Sequence, residues 1–384
     1  MVVDLAISGL SHDRSVPTVL IAGDGRSAIH ERAIEGALEE QGWHTHLFTW
    51  HQYLNADRSG SLFSRGIAAR LQSRFVLGPA IARLNRDLQL AAKKLRPQLV
   101  FVYRGAEVWA DTIAQLRQGG AIMFGYNNDD PFGKAPPFYW RHFRRALASY
   151  DHLFAYRPKN IADYQSLGLS EVSLLRSYYI RGINFPVAAR PDRKYSCDVL
   201  FAGHYERDGR EVMLERLVEA GVYLRVMGPE WERYDRAGSL ATAISREVPR
   251  GSEYNLALNS AKIALVFLSR LNNDSYTRRC FEIPATKTFM LAEYSSDLAS
   301  LYEEGMEAEY FRTPSELLAK VRHYLANPAK REQIAEAGYA RLIRDGHEAT
   351  DRARQITSTY ERLTGEREAA ARKSPTAPVG GRAH

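Results

Sequence analysis

Two short apolar runs, each ending in glycine, constrain the fold of this chain more than any other feature. They are TVLIAG at 18–23 and DVLFAG at 198–203. Each enters a loop and is followed by an amphipathic helix, the order in which a doubly wound parallel sheet begins. The two runs are a weak internal echo rather than a repeat. They predict two α/β domains of the same class.

Further apolar runs alternate with helical segments at even spacing, which is typical of a parallel α/β sheet. In the first half, further strands are predicted at 45–50, 99–104, 121–126, 152–156 and 172–178. A basic, proline-containing linker follows. In the second half, further strands are predicted at 223–228, 263–268 and 289–292. A length of 384 residues suits two domains. We predict an extension at 1–16, domains at 17–185 and 186–345, a final helix at 346–365 and a disordered tail at 366–384.

Net charge and cysteine content narrow the partners and the compartment. The chain has a net charge of +7, which suits anionic partners, although on net charge alone we favour a solvated basic surface over any specific partner. Cys197 and Cys280 are far apart and have no metal-ligand spacing, which favours a reducing compartment. No run reaches the roughly 18 apolar residues of a membrane span, and no basic leader opens the sequence. We expect a cytoplasmic protein.

The segment 60–95 is basic and helical in pattern. We favour a pair of surface helices broken near Gly78 and Pro79, and the alternative is a basic face near phosphate or a membrane. The basic segment at 64–96 permits peripheral association with the inner face of a membrane but does not establish it. Nucleic-acid binding is the weakest hypothesis, because the basic residues are dispersed and lack a stacking motif.

Loops at the carboxyl ends of the second-domain strands hold the candidate residues of a nucleotide-binding site. Glycine lets backbone approach a phosphate, arginine neutralises a diphosphate, and a carboxylate accepts hydrogen bonds from a ribose diol. The alternatives are that Arg207 and Arg210 are solvated, and that Glu282 caps Arg278 or Arg279. The candidates are Gly203, His204, Arg207, Arg210, Gly228, Pro229, Asp274, Arg279, Glu282, Thr286, Lys287 and Thr288.

The first-domain candidates lie after the predicted strands at 18–23, 99–104 and 121–126. The loop with Gly25 and Arg26 should face the cleft, as should Tyr103, Arg104 and Glu107. Asp129 and Asp130 precede Pro131, and one of them could bind acceptor hydroxyls or act as a base. The alternative is an Asx turn, which we favour for Asp129. His30 lies one turn into a helix and is interpreted as structural.

The sequence also resembles a known family. The run RCFEIPA, a strand and then EYSSDL resemble the C-terminal domain of group 1 glycosyltransferases, in the CgeB-like (spore maturation protein) branch. LYEEGMEAEYF and the helices up to 360 agree, as do LVFVYRGAEV and YDHLFAYRPKNIADYQSLG in the first half. The resemblance spans roughly residues 18–360.

This resemblance implies a GT-B fold: two Rossmann-like domains facing a cleft, with the last helix returning to the first domain. It implies a retaining, metal-independent glycosyltransferase of polysaccharide biosynthesis. The donor would be a UDP-, GDP- or dTDP-sugar and the acceptor a glycan, a lipid-linked glycan or a protein. Glu282 falls on the ribose-binding acid and Arg279 on the motif arginine. Asp274 stands where the family has Glu, and Lys287 with Thr288 replaces a glycine pair.

Two other functions stay open at this point. One is a sugar-nucleotide epimerase of the same fold, which would turn over a nucleotide sugar without an acceptor. The other is a binding protein without catalysis, which would release no nucleoside diphosphate. If the linkage formed is inverted, a first-domain carboxylate such as Asp130 becomes the expected base.

Overall fold

A computed structural model describes residues 16–55, 71–72, 74–134, 136, 138–187, 194–234 and 238–373. Most of the predicted N-terminal extension, the first part of the basic segment and residues 374–384 lie outside these ranges. In the described part of the chain, no helix combines the length and the apolar composition that crossing a bilayer requires.

The first domain is built on a sheet of six parallel strands in the order β2-β1-β3-β4-β5-β6. The strands β1 to β6 are Thr18–Gly23, His44–Thr49, Leu99–Tyr103, Ile122–Asn127, His152–Ala155 and Val172–Leu174. The helices α1 to α6 are Glu31–Glu39, His51–Asn55, Pro79–Leu95, Ala110–Gln118, Arg141–Ala146 and Pro158–Ser166. Every predicted strand of this half is present, within a few residues of its expected ends.

The second domain has five parallel strands in the order β11-β10-β9-β7-β8. The strands β7 to β11 are Cys197–Ala202, Leu224–Met227, Ala261–Val266, Phe289–Glu293 and Glu309–Phe311. The helices α7 to α13 are Arg210–Glu219, Ser252–Ser260, Arg279–Ala285, Ser296–Leu301, Pro314–Ala326, Pro328–Arg344 and Ala349–Lys373. The two sheets confirm the predicted pair of Rossmann-like domains.

Apolar side chains on both faces of the first sheet are buried by helices. Leu84, Ile113 and Phe143, from α3, α4 and α5, pack on one face. Ile34 of α1 and Ile356 of α13 join the core on the other face, which is continuous with that of the second domain. Burying both faces is what a parallel sheet requires.

The final helix crosses back to the first domain, as the resemblance implies. Thr357 Oγ1 donates to Gln41 Oε1 at 3.1 Å, and the Trp43 and Tyr360 rings meet edge to face at 5.0 Å. The predicted end of this helix is wrong, because α13 continues to Lys373, inside the segment expected to be disordered. Ion pairs along it, such as Arg362 with Glu366, support this polar extension.

Candidate functional site

A cleft of about 1160 Å³ lies between the carboxyl edges of the two sheets. This is where ligands bind in open α/β folds. The first domain lines it with His30, Arg104, Asn128, Asp129, Lys134, Pro136, Tyr139 and Trp140. The second lines it with His204, Tyr205, Glu206, Arg207, Glu230, Arg233, Ser269, Leu271 and Asn272. Lys134, Tyr139 and Arg233 were not singled out from the sequence, although Lys134 and Tyr139 follow a predicted strand end.

Two glycines let the loops after β7 and β8 touch. Gly228 has a φ of 153°, and a Cβ there would lie 2.0 Å from the Gly203 carbonyl oxygen. That oxygen accepts a hydrogen bond of 2.9 Å from the Trp231 indole. Pro229 is exposed, and its carbonyl accepts from the Tyr205 amide. The contact therefore fixes the second-domain wall of the cleft, and only glycine fits at 228.

Arg207 and Arg210 have different environments. The prediction that both contact a diphosphate is wrong for Arg210. Arg210 is buried and holds both Asp208 oxygens, at 2.8 and 2.6 Å, and the His204 carbonyl. Its guanidinium stabilises the loop after β7 and does not line the cleft. Arg207 is exposed in the cleft, and no described carboxylate lies within 4.0 Å of it. Of these two arginines, only Arg207 is placed to contact an anionic ligand in the cleft.

Arg279 lies behind this loop. Its Cζ atom is 3.4 Å from where a Cβ on Gly203 would stand, and its buried Nε has no hydrogen-bond partner among the described residues. His204 borders the same space, and its pKa is lowered by burial and by the charge of Arg279. A buried N–H group of a charged side chain without a hydrogen-bond partner destabilises the folded protein, and an anionic ligand that accepted this hydrogen bond would offset that cost.

Glu282 lies in the first turn of α9, is buried and, like Arg279, is not among the residues that line the cleft. Its Oε1 accepts from Arg278 Nε at 2.6 Å, and its Oε2 accepts from the Tyr254 hydroxyl at 2.9 Å. Arg278 also donates to the Ile29 carbonyl of the first domain at 2.7 Å. The capping of Arg278, expected as an alternative, is therefore present. A ribose would have to use the remaining lone pairs of the carboxylate.

Asp274 does not line the cleft, which corrects its predicted donor role. Its carboxylate accepts from Arg157 of the first domain, with Nε to Oδ1 at 2.9 Å, and Arg157 is buried. The neighbouring Asn273 Nδ2 donates to Asp130 at 2.7 Å. The segment before α9 thus joins the two domains, and Asp274 is used for this contact rather than for the cleft.

Thr286, Lys287 and Thr288 lie at the opposite, amino edge of the sheet, which corrects their predicted place in the donor site. Both threonines are buried, and Thr288 donates to the Leu258 carbonyl at 2.9 Å. Lys287 pairs with Glu336 at 2.7 Å. The reason is geometric: α9 starts at the carboxyl edge and returns the chain to the amino edge before β10.

Asp130 is buried and cannot act as the base predicted from the sequence. It accepts from the Phe132 amide and Asn160, both at 2.9 Å, and from Asn273 at 2.7 Å. Burial raises its pKa, but these hydrogen bonds outweigh burial and lower it. The Asx turn therefore belongs to Asp130, whereas Asp129 faces the cleft.

Arg104 holds Asp129 in place. Its Nη2 lies 2.6 Å from Asp129 Oδ2, and its backbone φ of 69° is in the left-handed region, where non-glycine residues are uncommon. Asn272 of the second domain approaches Asp129 across the cleft at 3.4 Å. Glu107 lies behind Arg104, and burial raises its pKa to about 7 against the opposing charge of Arg104.

Tyr103 and the loop after β1 contribute less directly than predicted. Tyr103 is buried and its hydroxyl contacts His30 Nδ1 at 3.1 Å. His30 lines the cleft, and burial with the nearby arginines lowers its pKa to about 4, so it is neutral at pH 7. Gly25 and Arg26 stand at the carboxyl end of β1 outside the cleft lining, with Arg26 paired to Asp24 at 2.7 Å.

Among the described residues, no three His, Cys, Asp or Glu side chains are placed to hold a metal ion. Cys197 and Cys280 are buried and free. Metal independence stays a prediction.

Residues 207–358 match the family model described as glycosyl transferase-like. No curated protein matches the chain significantly in sequence.

Several solved structures share the whole architecture at low identity. Sucrose-phosphate synthase from Thermosynechococcus elongatus gives a TM-score of 0.70 at 13% identity, covering 91% of this chain and 100% of that one. HepE from Anabaena in complex with UDP and glucose gives 0.61 at 11%, covering 90% and 100%. A protein named UDP-N-acetylglucosamine 2-epimerase from Listeria monocytogenes gives 0.58 at 11%, covering 91% and 97%. The chain therefore has the GT-B fold, and the CgeB-like branch stays a prediction.

Proposed function

We propose that this protein is a glycosyltransferase that moves a sugar from a nucleoside-diphosphate sugar to an acceptor hydroxyl. The observation that carries the proposal is the cleft between the two carboxyl edges, with a free Arg207 on one wall and the carboxylate of Asp129 on the other. An anion-binding wall facing a polar wall suits a donor diphosphate beside an acceptor. The family match over the second domain supports the same assignment.

The donor is proposed to bind the second domain. Arg207 and the unpartnered Nε of Arg279 would neutralise the diphosphate beside Gly203. In the reaction the bond between the anomeric carbon and the phosphate oxygen breaks, and the leaving nucleoside diphosphate gains negative charge. Fixed cations stabilise that charge more than they stabilise the donor, which is what accelerates the step. Glu282 would accept hydrogen bonds from the ribose.

The acceptor is proposed to bind the first domain, beside Asp129, His30 and Tyr139. A neutral His30 can exchange hydrogen bonds with sugar hydroxyls. We expect retention of configuration and no metal. If the product is inverted, Asp129, which lines the cleft, replaces Asp130 as the candidate base. The acceptor class remains a glycan, a lipid-linked glycan or a protein.

A thermal-shift panel of UDP-, GDP- and dTDP-sugars, followed by an assay of nucleoside-diphosphate release, tests the proposal. We expect nucleotide sugars with one particular nucleobase to raise the melting temperature. The release of nucleoside diphosphate should rise when acceptors are added. Arg207→Ala should remove the shift, and Arg322→Ala, an exposed arginine on α11, should keep it.

Other outcomes identify the alternatives. Conversion of the donor sugar without an acceptor would indicate an epimerase. Donor binding with no release for any acceptor would indicate a binding protein. If no nucleotide sugar shifts the melting temperature, the proposal is wrong.

A further inference from the structure

Three apolar side chains are exposed close together on the first domain. Leu71, Phe75 and Leu77 expose 48%, 39% and 47% of their surface. We call these three residues the Leu71 patch. Exposed single apolar residues are common, but clustered ones usually mark a surface that is covered in use.

The Leu71 patch lies at the rim of the cleft. The Phe75 ring is 5.2 Å from that of Phe138, and Arg141 donates to the Phe75 carbonyl at 2.6 Å. The residue after Phe138 is Tyr139, which lines the cleft. A molecule that covers the patch would therefore reach the acceptor side of the cleft.

Unpaired cations continue from this patch along the outer face of α3. Between residues 71 and 96 the sequence holds one acid, Asp87, which pairs with Arg86. Other cations of this surface are exposed, and no described carboxylate lies within 4.0 Å of them: Arg74, Arg83, Lys93, Lys94 and Arg96. The surface therefore joins an apolar patch to a row of free positive charges.

We propose that the Leu71 patch and the outer face of α3 dock on the surface of an anionic lipid bilayer. Apolar side chains at a charged helical face enter the headgroup region, and the cations attract the anionic lipids. Only one of the three patch residues, Phe75, has a ring on which a base could stack, and that ring already packs on Phe138, so the patch suits lipid better than nucleic acid. Docking would place the acceptor side of the cleft at the lipid surface, where an amphiphilic acceptor resides.

The proposal does not depend on the proposed function, and co-sedimentation of the full chain with vesicles tests it. We expect the protein to pellet with phosphatidylcholine vesicles that contain phosphatidylglycerol, but not with phosphatidylcholine alone, and added salt to release it. The double variant Leu71→Gln/Leu77→Gln and the double variant Lys93→Glu/Lys94→Glu should each weaken partition about tenfold or more.

Matched controls come from the second domain. Ile343→Gln removes an equally exposed apolar residue, and Arg322→Glu an exposed cation. Both should bind vesicles as the unmodified chain does, and all variants should keep the melting temperature of the unmodified chain. Failure to pellet with anionic vesicles, or equal losses in patch and control variants, would overturn the proposal. The proposal would also be overturned if the protein bound a single-stranded oligonucleotide but not vesicles, and if Lys93→Glu/Lys94→Glu abolished that binding.

Discussion

The guanidinium of Arg157 in the first domain binds the carboxylate of Asp274 in the second, with Nε to Oδ1 at 2.9 Å. Both side chains are largely removed from water. The same short segment places Asn273 on Asp130 and Arg278 on the Ile29 carbonyl. The stretch before α9 thus makes several of the polar contacts between the domains, and these contacts help to fix the cleft geometry.

Removing one partner of this pair should destabilise the protein strongly. Asp274→Ala leaves the buried charge of Arg157 without a counter-ion, which costs about 3–5 kcal/mol for such pairs. Urea denaturation followed by circular dichroism measures the change. Lys262→Ala, which breaks an exposed pair with Asp198, should cost about 0–1 kcal/mol. Equal losses would mean that the Arg157 pair is no more important than a surface one.

The two arginines after β7 should separate binding from stability. Arg207→Ala should weaken the binding of a nucleoside diphosphate about tenfold to a hundredfold, because a charge-assisted hydrogen bond is lost. Its urea midpoint should not change, since the side chain is exposed. Arg210→Ala should lower the midpoint, because it leaves Asp208 and Glu206 unpaired. Calorimetric titration with UDP and denaturation on both variants check this contrast.

Gly228→Ala should disrupt the donor loop. The new Cβ would lie 2.0 Å from the Gly203 carbonyl oxygen, at a φ of 153° that side chains rarely adopt. We expect a loss of about 2 kcal/mol or more in stability. Gly36→Ala in α1 is the control, because a Cβ there meets nothing within 4 Å, and it should stabilise the helix by about 0.5–1 kcal/mol. If both variants are equally stable, the two loops do not touch as described.

Glu107 should lower the stability of the protein as the pH rises from 5 to 8, whereas buried histidines such as His30, with a lowered pKa, act in the opposite direction. The folded pKa of Glu107, about 7, exceeds that of an unfolded glutamate, so the folded state holds the proton over this window. Stability from this group is therefore present at low pH and lost as the pH rises, by at most about 3 kcal/mol. Glu107→Gln should remove that fall. Denaturation of both proteins at pH 5 and pH 8 gives the difference, and parallel profiles would contradict it.

Local patterns in the sequence were enough to predict the strands and the glycine loops that follow residues 18–23 and 198–203. These features depend on hydrophobic periodicity and on turn residues, which the local sequence contains. Local patterns were not enough to assign individual polar groups. Asp274 meets a partner 117 residues away, which no spacing reveals. Thr288 and Glu282 are near in sequence, yet α9 carries them to opposite edges of the sheet. Asp129 and Asp130 are adjacent in the loop after β4, and only the fold decides which one turns inward.

The role of Glu282 needs a test that separates ribose binding from the capping of Arg278. Its carboxylate holds Arg278 and Tyr254, so Glu282→Gln should lower stability whether or not ribose binds there. The informative quantity is therefore the ratio of the dissociation constants of 2′-deoxy-UDP and UDP. If Glu282 accepts from the ribose hydroxyls, this ratio should be about tenfold in the unmodified protein and approach one in Glu282→Gln.

Tyr254→Phe provides the matched control for this ratio. It removes a neighbour of the same carboxylate while leaving both oxygens able to accept hydrogen bonds. The preference for UDP should therefore persist, or rise, because one oxygen becomes free for the ribose. If Glu282→Gln weakens both ligands by the same factor, the carboxylate acts only through Arg278, and it then positions the domain contact at the Ile29 carbonyl rather than the nucleotide.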